Sequence, residues 1–231
     1  MIEFKQVSKR YGTKHALKDV SFSLPTGKVI GIIGENGSGK STTLKLIAGL
    51  AKPTSGEISV NGEVASRRIS HVVSYLSESD GFYPFFTVGD MIDFYQSQFA
   101  DFSPAKANEI LSFMKLDRSQ KIKNLSKGNR GRLKIVLTLA RDVPIILMDE
   151  PLSGLDPLVR DSIIKGLISF IDIEKQTVLI TTHEIEEVEP ILDTMVAIKD
   201  GRVICVQDVE ELRMQENAGI LDWMKRVYQE G

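Results

Sequence analysis

The run Gly34-Glu35-Asn36-Gly37-Ser38-Gly39-Lys40-Ser41 fits G-x-x-x-x-G-K-[ST], a spacing whose chemistry is phosphate binding. Glycines let the backbone curl until successive N–H groups converge on an anion at a helix N-terminus. Lys40 is expected to reach the β- and γ-phosphates and the Ser41 hydroxyl to ligate Mg²⁺. Gly34, Asn36, Gly37, Ser38, Gly39 and Thr42 complete the expected cradle. The plainer reading, a glycine-rich turn with a surface lysine, ignores the apolar strand before the loop and the helix after it. Far downstream, Ile145-Ile146-Leu147-Met148 ends in Asp149-Glu150. A strand buried in a parallel sheet delivers its C-terminal residues to the ligand crevice. Asp149 is then placed to hold Mg²⁺, directly or through water, and Glu150 to orient and deprotonate an attacking water. Acids often end strands, so this pair gains its meaning from the loop upstream. Kinases, helicases and transporters all remain open, but no Asn-Lys-x-Asp element occurs, which argues against a GTPase.

These residues need a scaffold. Ile2 to Val7 and Val20 to Leu24 read as short strands around a turn at Tyr11-Gly12-Thr13. Lys28 to Ile33 is a nearly continuous apolar run, as a doubly buried strand requires, and Ser41 to Ala48 reads as a helix. Glu57 to Val60 with Asn61-Gly62 forms one side of a hairpin. From Thr87 to Asp142 the character is helical. Ser103 caps a helix begun by Pro104 and lined by Ala107, Ile110, Leu111 and Met114; Leu133, Val136, Leu137 and Ala140 line the next. Strands return at Val143 to Met148 and Thr177 to Thr181 with a helix between them. That alternation implies a parallel sheet with right-handed crossovers.

The 231 residues suffice for one large α/β domain. With 29 basic against 31 acidic residues and a net charge of -2, the chain lacks the positive surplus of a nucleic-acid coat, and no nucleic-acid partner is expected. The lone Cys205 rules out an intrachain disulfide and is expected to pack as a small hydrophobe. A reducing compartment fits best. No apolar stretch is long enough for a membrane span, and no leader is evident at Met1-Ile2-Glu3-Phe4-Lys5. Any work at a membrane therefore needs a second chain.

The remaining motifs resemble the nucleotide-binding subunits of ATP-binding-cassette (ABC) transporters, from Phe4 to about Val206. Tyr11, in Lys9-Arg10-Tyr11-Gly12, stands where that family has an aromatic stacked on adenine. Leu125-Ser126-Lys127-Gly128-Asn129 resembles the signature Leu-Ser-Gly-Gly-Gln. Ser153-Gly154-Leu155-Asp156 looks like the D-loop, and His183 in Thr181-Thr182-His183-Glu184 matches the switch histidine. Taken singly, each has a plainer reading: a turn aromatic, a surface histidine, a helix cap at Asp156. The resemblance implies an α/β P-loop NTPase core with a parallel sheet, an N-terminal antiparallel β subdomain (about 1–27 and 54–70) and an inserted helical subdomain (about 83–142). The core would take 28–53, 71–82 and 143–207, and a helical segment 208–231. It further implies an ATPase that uses ATP and Mg²⁺. Two subunits, as a homodimer or with a paired cassette subunit, would join head to tail. Each ATP would lie between the phosphate loop, Asp149, Glu150, Glu78 and catalytic His183 of one chain and Ser126 to Gly128 of the other, with Asp156 of the D-loop serving the nucleotide site as well as capping a helix. Hydrolysis would drive a membrane-spanning permease subunit from the cytoplasmic face of the membrane, with single-cassette exporters of antibiotics and antimicrobial peptides the nearest type. Soluble cassettes acting on ribosomes or nucleic acid are the alternative; they usually carry two cassettes, coiled coils or zinc modules. A non-catalytic cassette would be expected to lose Lys40 or Glu150, and both are present.

Two departures stand out. Glu78 replaces the glutamine expected after Tyr75-Leu76-Ser77, and a carboxylate is at least as good a Mg²⁺ ligand. Lys127 replaces the first signature glycine, where it either adds a cation near the partner's phosphates or, the favoured reading, points to solvent. Phe82, Tyr83, Phe85 and Phe86 crowd around Pro84 in a chain that is only 7% aromatic. Some are expected to join the two lobes. The resemblance sets Phe82, Tyr83 and Phe85 beside the groove for a cytoplasmic helix of the membrane subunit. Ile220, Trp223, Met224 and Val227 form a stripe expected to pack on the core.

Overall fold

The computed structural model describes residues 1–216 and 219–229, with side-chain surroundings for all of these except 215, 216 and 227–229. Strand β1 (Ile2–Tyr11) and β2 (Lys14–Leu24) form an antiparallel hairpin whose two-residue turn is Gly12-Thr13. Both strands run longer than the alternation predicts, because register shifts between Phe4 and Arg10 let the pairing continue past interrupted side-chain periodicity. Tyr11 consequently sits at the hairpin tip.

Strand β3 (Val29–Ile33) is buried along its whole length and leads through the glycine loop into α1 (Lys40–Ile47). Next, β4 (Ser55–Val60) and β5 (Glu63–Val64) are joined by Asn61 and Gly62, both at positive φ (51° and 85°), the conformation a tight hairpin turn demands. A short β6 (Val73–Leu76) follows, then helices α2 (Val88–Gln98), α3 (Pro104–Phe113) and α4 (Lys127–Leu139). Strand β7 (Ile145–Asp149), α5 (Pro157–Phe170), β8 (Thr177–Thr182) and a one-turn α6 (Ile185–Val188) come next. The chain finishes with β9 (Thr194–Lys199), β10 (Arg202–Asp208), α7 (Val209–Glu216) and α8 (Ile220–Gln229).

Two sheets result. The small one, β2-β1-β4-β5, is antiparallel; the large one runs β10-β9-β3-β8-β7-β6, parallel except for β10 on the edge. The fold is α/β, with an antiparallel N-terminal sheet beside a largely parallel one. Alternation along the central strands assigns each residue to one of two cores. Ile30, Ile32, Ile145 and Leu147 face α1 and the small sheet. Val29, Ile33, Ile146 and Met148 face α2 to α5. The strands therefore read as continuous apolar runs.

Helix α3 is capped by Ser103 with Pro104 in its first turn, and α2 by a reciprocal Thr87–Asp90 capping box. Buried Arg141 fastens the helical region to the large sheet. It makes a two-pronged pair with Asp101 (2.6 Å), donates to the Ser70 and Val73 carbonyls, and lies over the Phe99 ring. Cys205 is half-buried against the core, and burial pushes its thiol pKa up. Ile220 and Trp223 are buried and Met224 packs beside them, while the side chain of Val227 lies outside the described residues.

Candidate functional site

The phosphate loop is shaped by what lies behind it. A Cβ at Gly34 (φ 156°) would stand 2.2 Å from the Ile198 carbonyl oxygen of β9, and one at Gly39 (φ 119°) would stand 2.6 Å from that of Ala16. Only glycine allows the loop to lie against both sheets. Ser38 is the loop residue turned away. Its N–H closes a turn on Glu35 O at 3.1 Å, and its hydroxyl is buried without a hydrogen-bond partner.

In front of the loop lies a cavity of about 600 Å³, lined by Tyr11, Asn36, Gly37, Gly39, Lys40, Ser41, Thr42, Glu78, Glu150 and His183. Lys14 and Ala16, absent from the sequence expectation, share this lining, as does Ser153 at the start of the D-loop. Lys14 could have been anticipated: a two-residue turn after Tyr11 pairs Lys14 with it across the hairpin, setting a cation at the same mouth. Ser153 is carried there by the turn following β7.

Three side chains meet on the cavity floor. Lys40 Nζ donates to Gly34 O (2.9 Å) and Glu35 O (3.2 Å) and lies 3.5 Å from Glu150 Oε1. His183 Nδ1 lies 2.8 Å from Glu150 Oε2. The lysine and glutamate side chains are only 5% and 8% exposed, so their charges are poorly screened and each depends on the other. Glu150 holds a left-handed backbone (φ 49°), an uncommon state for a residue with a Cβ and one met at functional sites. Its N–H donates to both Thr181 Oγ1 (2.9 Å) and Thr181 O (3.2 Å), which fixes the bend.

Asp149 is placed differently. It is 2% exposed and does not line the cavity. One oxygen accepts from Thr181 Oγ1 (2.9 Å) and the other from the Tyr75 hydroxyl (3.0 Å). Burial, and then the neighbouring carboxylate, push the Tyr75 phenol pKa upward, so this phenol remains a donor. Asp149 thus stands one layer behind Glu150.

Ser126, Gly128 and Asp156 also lie outside the cavity lining. Ser126 caps α4, its hydroxyl accepting from Asn129 N at 3.2 Å, and Asp156 caps α5, accepting from Val159 N at 3.0 Å. A Cβ at Gly128 would stand 2.9 Å from Val159 Cγ2, so a larger residue there would have to displace the Val159 side chain of α5. Lys127 is exposed, yet its ammonium does not simply point to solvent. A Cβ at Gly154 would stand 2.1 Å from Lys127 Nζ, which places the charge directly on the D-loop glycine of the same chain.

Glu78 connects the cavity to the helical region. Lys134 of α4 donates to Ser77 O (3.2 Å) and Glu78 O (2.7 Å), and pairs with Asp80 at 2.9 Å; Arg130 reaches Asp80 at 3.4 Å. Burial opposes ionisation of Asp80, but Lys134 and Arg130 outweigh it and hold the carboxyl pKa below its ordinary value. Beyond this staple Phe82 and Phe86 pack on the core, whereas Tyr83 is 44% and Phe85 71% exposed. The rings of Tyr83, Phe85, Phe86 and Phe94 touch in a continuous cluster.

Among the described residues no helix is long and apolar enough to cross a membrane. Residues 17–153 match the family model for the ABC transporter. The Nod factor export ATP-binding protein I of Burkholderia orbicola (strain AU 1054) is 37% identical over 211 residues, 88% of this chain and 69% of that protein. The ABC transporter ATP-binding protein YtrB of Bacillus subtilis (strain 168) is 29% identical over 92% of this chain and 74% of its own. A solved ATP-binding subunit of an ABC transporter superposes with a TM-score of 0.84 at 28% identity, covering 100% of this chain and 98% of that one. The ATP-binding cassette MJ0796, solved as a dimer in a post-hydrolysis state bound to ADP and Pi, gives 0.79 at 26% identity over 90% and 98%. The chain belongs to the ABC transporter family, as an ATP-binding subunit with ATPase activity.

Proposed function

We propose that two copies of this chain, or this chain and a paired cassette subunit, close head to tail around ATP and Mg²⁺ and thereby work a separate membrane-spanning subunit. One observation carries the reading: Lys40, Glu150 and His183 meet in one cavity, while Ser126, Gly128 and Asp156 of the same chain lie outside it. A second chain in opposite orientation can supply what is missing. Solved relatives described as dimers support this pairing. The unit that acts is a single cassette, with its β lobe near 1–27 and 54–70, its helical insert near 83–142, its core in 28–53, 71–82 and 143–207, and a C-terminal helical segment in 208–231.

In this reading Tyr11 stacks on adenine and the loop N–H groups hold the phosphates. Phosphate oxygens compete with Gly34 O, Glu35 O and Glu150 for the Lys40 ammonium. Glu150, released from Lys40 and still beside His183, orients water for in-line attack and takes its proton. His183 donates toward the γ-phosphate. The donor set fits Mg²⁺: Ser41 and Glu78 offer oxygen atoms to the cavity, and Asp149, one layer back, acts through water. The described residues contain no cluster of three or more His, Cys, Asp or Glu side chains able to hold a metal, and Mg²⁺ commonly binds through one or two protein ligands plus substrate phosphates and water. Bound there, it would neutralise charge on the transferring phosphoryl group. ATP favours the closed dimer and its loss the open one, which is the differential affinity required to do work on a partner.

Glu150→Gln tests the dimer. It should lower hydrolysis by about 10²–10⁴ yet bind ATP, and accumulate as an ATP-bound dimer in size-exclusion chromatography. A variant that turns over normally, or stays monomeric with ATP, would overturn the reading. The partner is a membrane-spanning permease that this chain meets from the cytoplasmic face, and a relative's name points to export. Tyr83 and Phe85 offer the anchor for its cytoplasmic helix. Phe85→Ala should leave ATP binding intact and weaken co-purification with the membrane subunit by about thirtyfold, the share of an aromatic anchor of roughly 2 kcal/mol.

A further inference from the structure

Arg160 lies outside the cavity, yet its guanidinium joins the D-loop to the segment that runs from His183 into α6. Nε donates to the Leu155 carbonyl at 2.7 Å, gripping the D-loop just before Asp156. Nη2 donates to Glu184 Oε1 at 2.9 Å, and Nη1 donates to Glu187 Oε1 on α6. Glu184 directly follows His183. Among the described residues, no other cation pairs with Glu184 or Glu187. The second oxygen of each carboxylate, Glu184 Oε2 and Glu187 Oε2, is buried with no hydrogen-bond partner. Two carboxylates thus converge on one fork-shaped cation, an arrangement too costly to persist without it.

The consequence falls on the histidine. Glu184 N donates to Thr182 Oγ1 at 2.9 Å, so His183 is held from β8 on one side and by the Arg160–Glu184 pair on the other. Its ring has to stand 2.8 Å from Glu150 Oε2. Among the described residues Glu150 is the hydrogen-bond partner of that ring, and its side chain is 41% exposed. We infer that Arg160 is a positioning residue for hydrolysis: by bonding the D-loop backbone and Glu184 at once, it sets His183 against Glu150 and makes the histidine's position follow the D-loop. This inference rests on the reading of His183 and Glu150 as the hydrolytic pair. The role requires a guanidinium. A lysine ammonium keeps the charge but cannot serve three acceptors in one plane.

Steady-state ATPase assays on the full chain test it, with KM for ATP and thermal midpoint measured alongside. Arg160→Lys should lower kcat by about 10- to 100-fold, the effect of a small misplacement of a reacting group, with KM unchanged because Arg160 does not line the cavity. The milder Glu187→Gln keeps an acceptor but removes the charge from one prong, and should lower kcat less. The triple change Arg160→Met, Glu184→Gln, Glu187→Gln removes the charge imbalance. It should recover the wild-type thermal midpoint while kcat stays low. A purely structural role predicts the reverse: kcat recovering with stability, or KM rising while thermal midpoint and kcat fall together in Arg160→Lys. Either result overturns the inference, as does Arg160→Lys with wild-type kcat. His183→Ala separates this from the reading beneath it. If His183→Ala is slow and Arg160→Lys is not, only the positioning fails; if His183→Ala hydrolyses normally, the histidine's own role fails and the positioning with it.

Discussion

In the nucleotide cavity the functional side chains bond to one another; at the start of α4 and α5 they bond to the backbone of their own helix. Lys40, Glu150 and His183 form a chain of contacts at 3.5 and 2.8 Å. Ser126 and Asp156 each accept a hydrogen bond from the N–H three residues on. The first region is already arranged around a reacting centre. The second is arranged as two helix N-termini, whose unsatisfied N–H groups and positive dipole ends suit an anion arriving from outside. On the proposed reading the same chain carries one half-site that holds ATP and another that is presented to the partner's ATP. Hydrolysis is expected to require both, binding only the first.

The largest expected contrast breaks the two regions apart. Lys40→Ala removes a charged partner of the phosphates, and a hydrogen bond to a charged group contributes about 1.5–3 kcal/mol. ATP affinity of the isolated chain should fall by about 10- to 100-fold, measured by isothermal titration. Ser126→Ala should leave that affinity unchanged while hydrolysis is lost. If Ser126→Ala weakened binding to the isolated chain as strongly, the two regions would not be separate half-sites.

Mixed dimers sharpen the same contrast. With Lys40→Ala and Ser126→Ala on different chains, one composite pocket pairs the intact loop with the intact signature. With both changes on one chain, each pocket inherits one defect. The first arrangement should retain about half of the wild-type hydrolysis, because symmetric pairing makes two equal pockets, and the second should retain none. Equal activities in the two arrangements would exclude a site built from two chains.

What could be foreseen from the sequence follows this division. The phosphate loop and the acids ending β7 are local patterns, a glycine spacing and a short apolar run. Their neighbours along the chain suffice to place them on a strand–loop–helix and a strand end. The two-core alternation of β3 and β7 follows from the same runs. Features that depend on distant pairing were not legible. Strand β9 is an apolar run that periodicity cannot assign, yet its Ile198 carbonyl is what Gly34 must clear. The retreat of Asp149 behind Glu150 depends on Tyr75 and Thr181, which arrive from neighbouring strands. Lys127 resting on Gly154 and Arg160 joining Leu155 to Glu184 are products of how α4, α5 and β8 come together. Substitution of a signature glycine by lysine gives no hint of the first.

The smallest effect belongs to Asp156, where a helix cap and the proposed contact to the partner chain fall on one carboxylate. Asparagine caps a helix about as well as aspartate, whereas alanine forfeits about 1 kcal/mol. Asp156→Ala should therefore lower the thermal midpoint by about 2–4 °C in a chain of this size, and Asp156→Asn should leave it in place. Hydrolysis separates the two roles. Asparagine keeps the bond to Val159 N but loses the charge, and a charge-assisted hydrogen bond across the dimer would weaken by about 1 kcal/mol, close to fivefold in rate. Asp156→Asn is thus expected to be as stable as wild type and about fivefold slower. The same variant assayed at raised salt should show a smaller deficit if the lost contact is exposed, since screening already weakens such pairs in the wild-type dimer. If Asp156→Asn instead hydrolyses at the wild-type rate, the carboxylate serves only α5. The half-site offered to the partner then reduces to Ser126 and Gly128 at the head of α4.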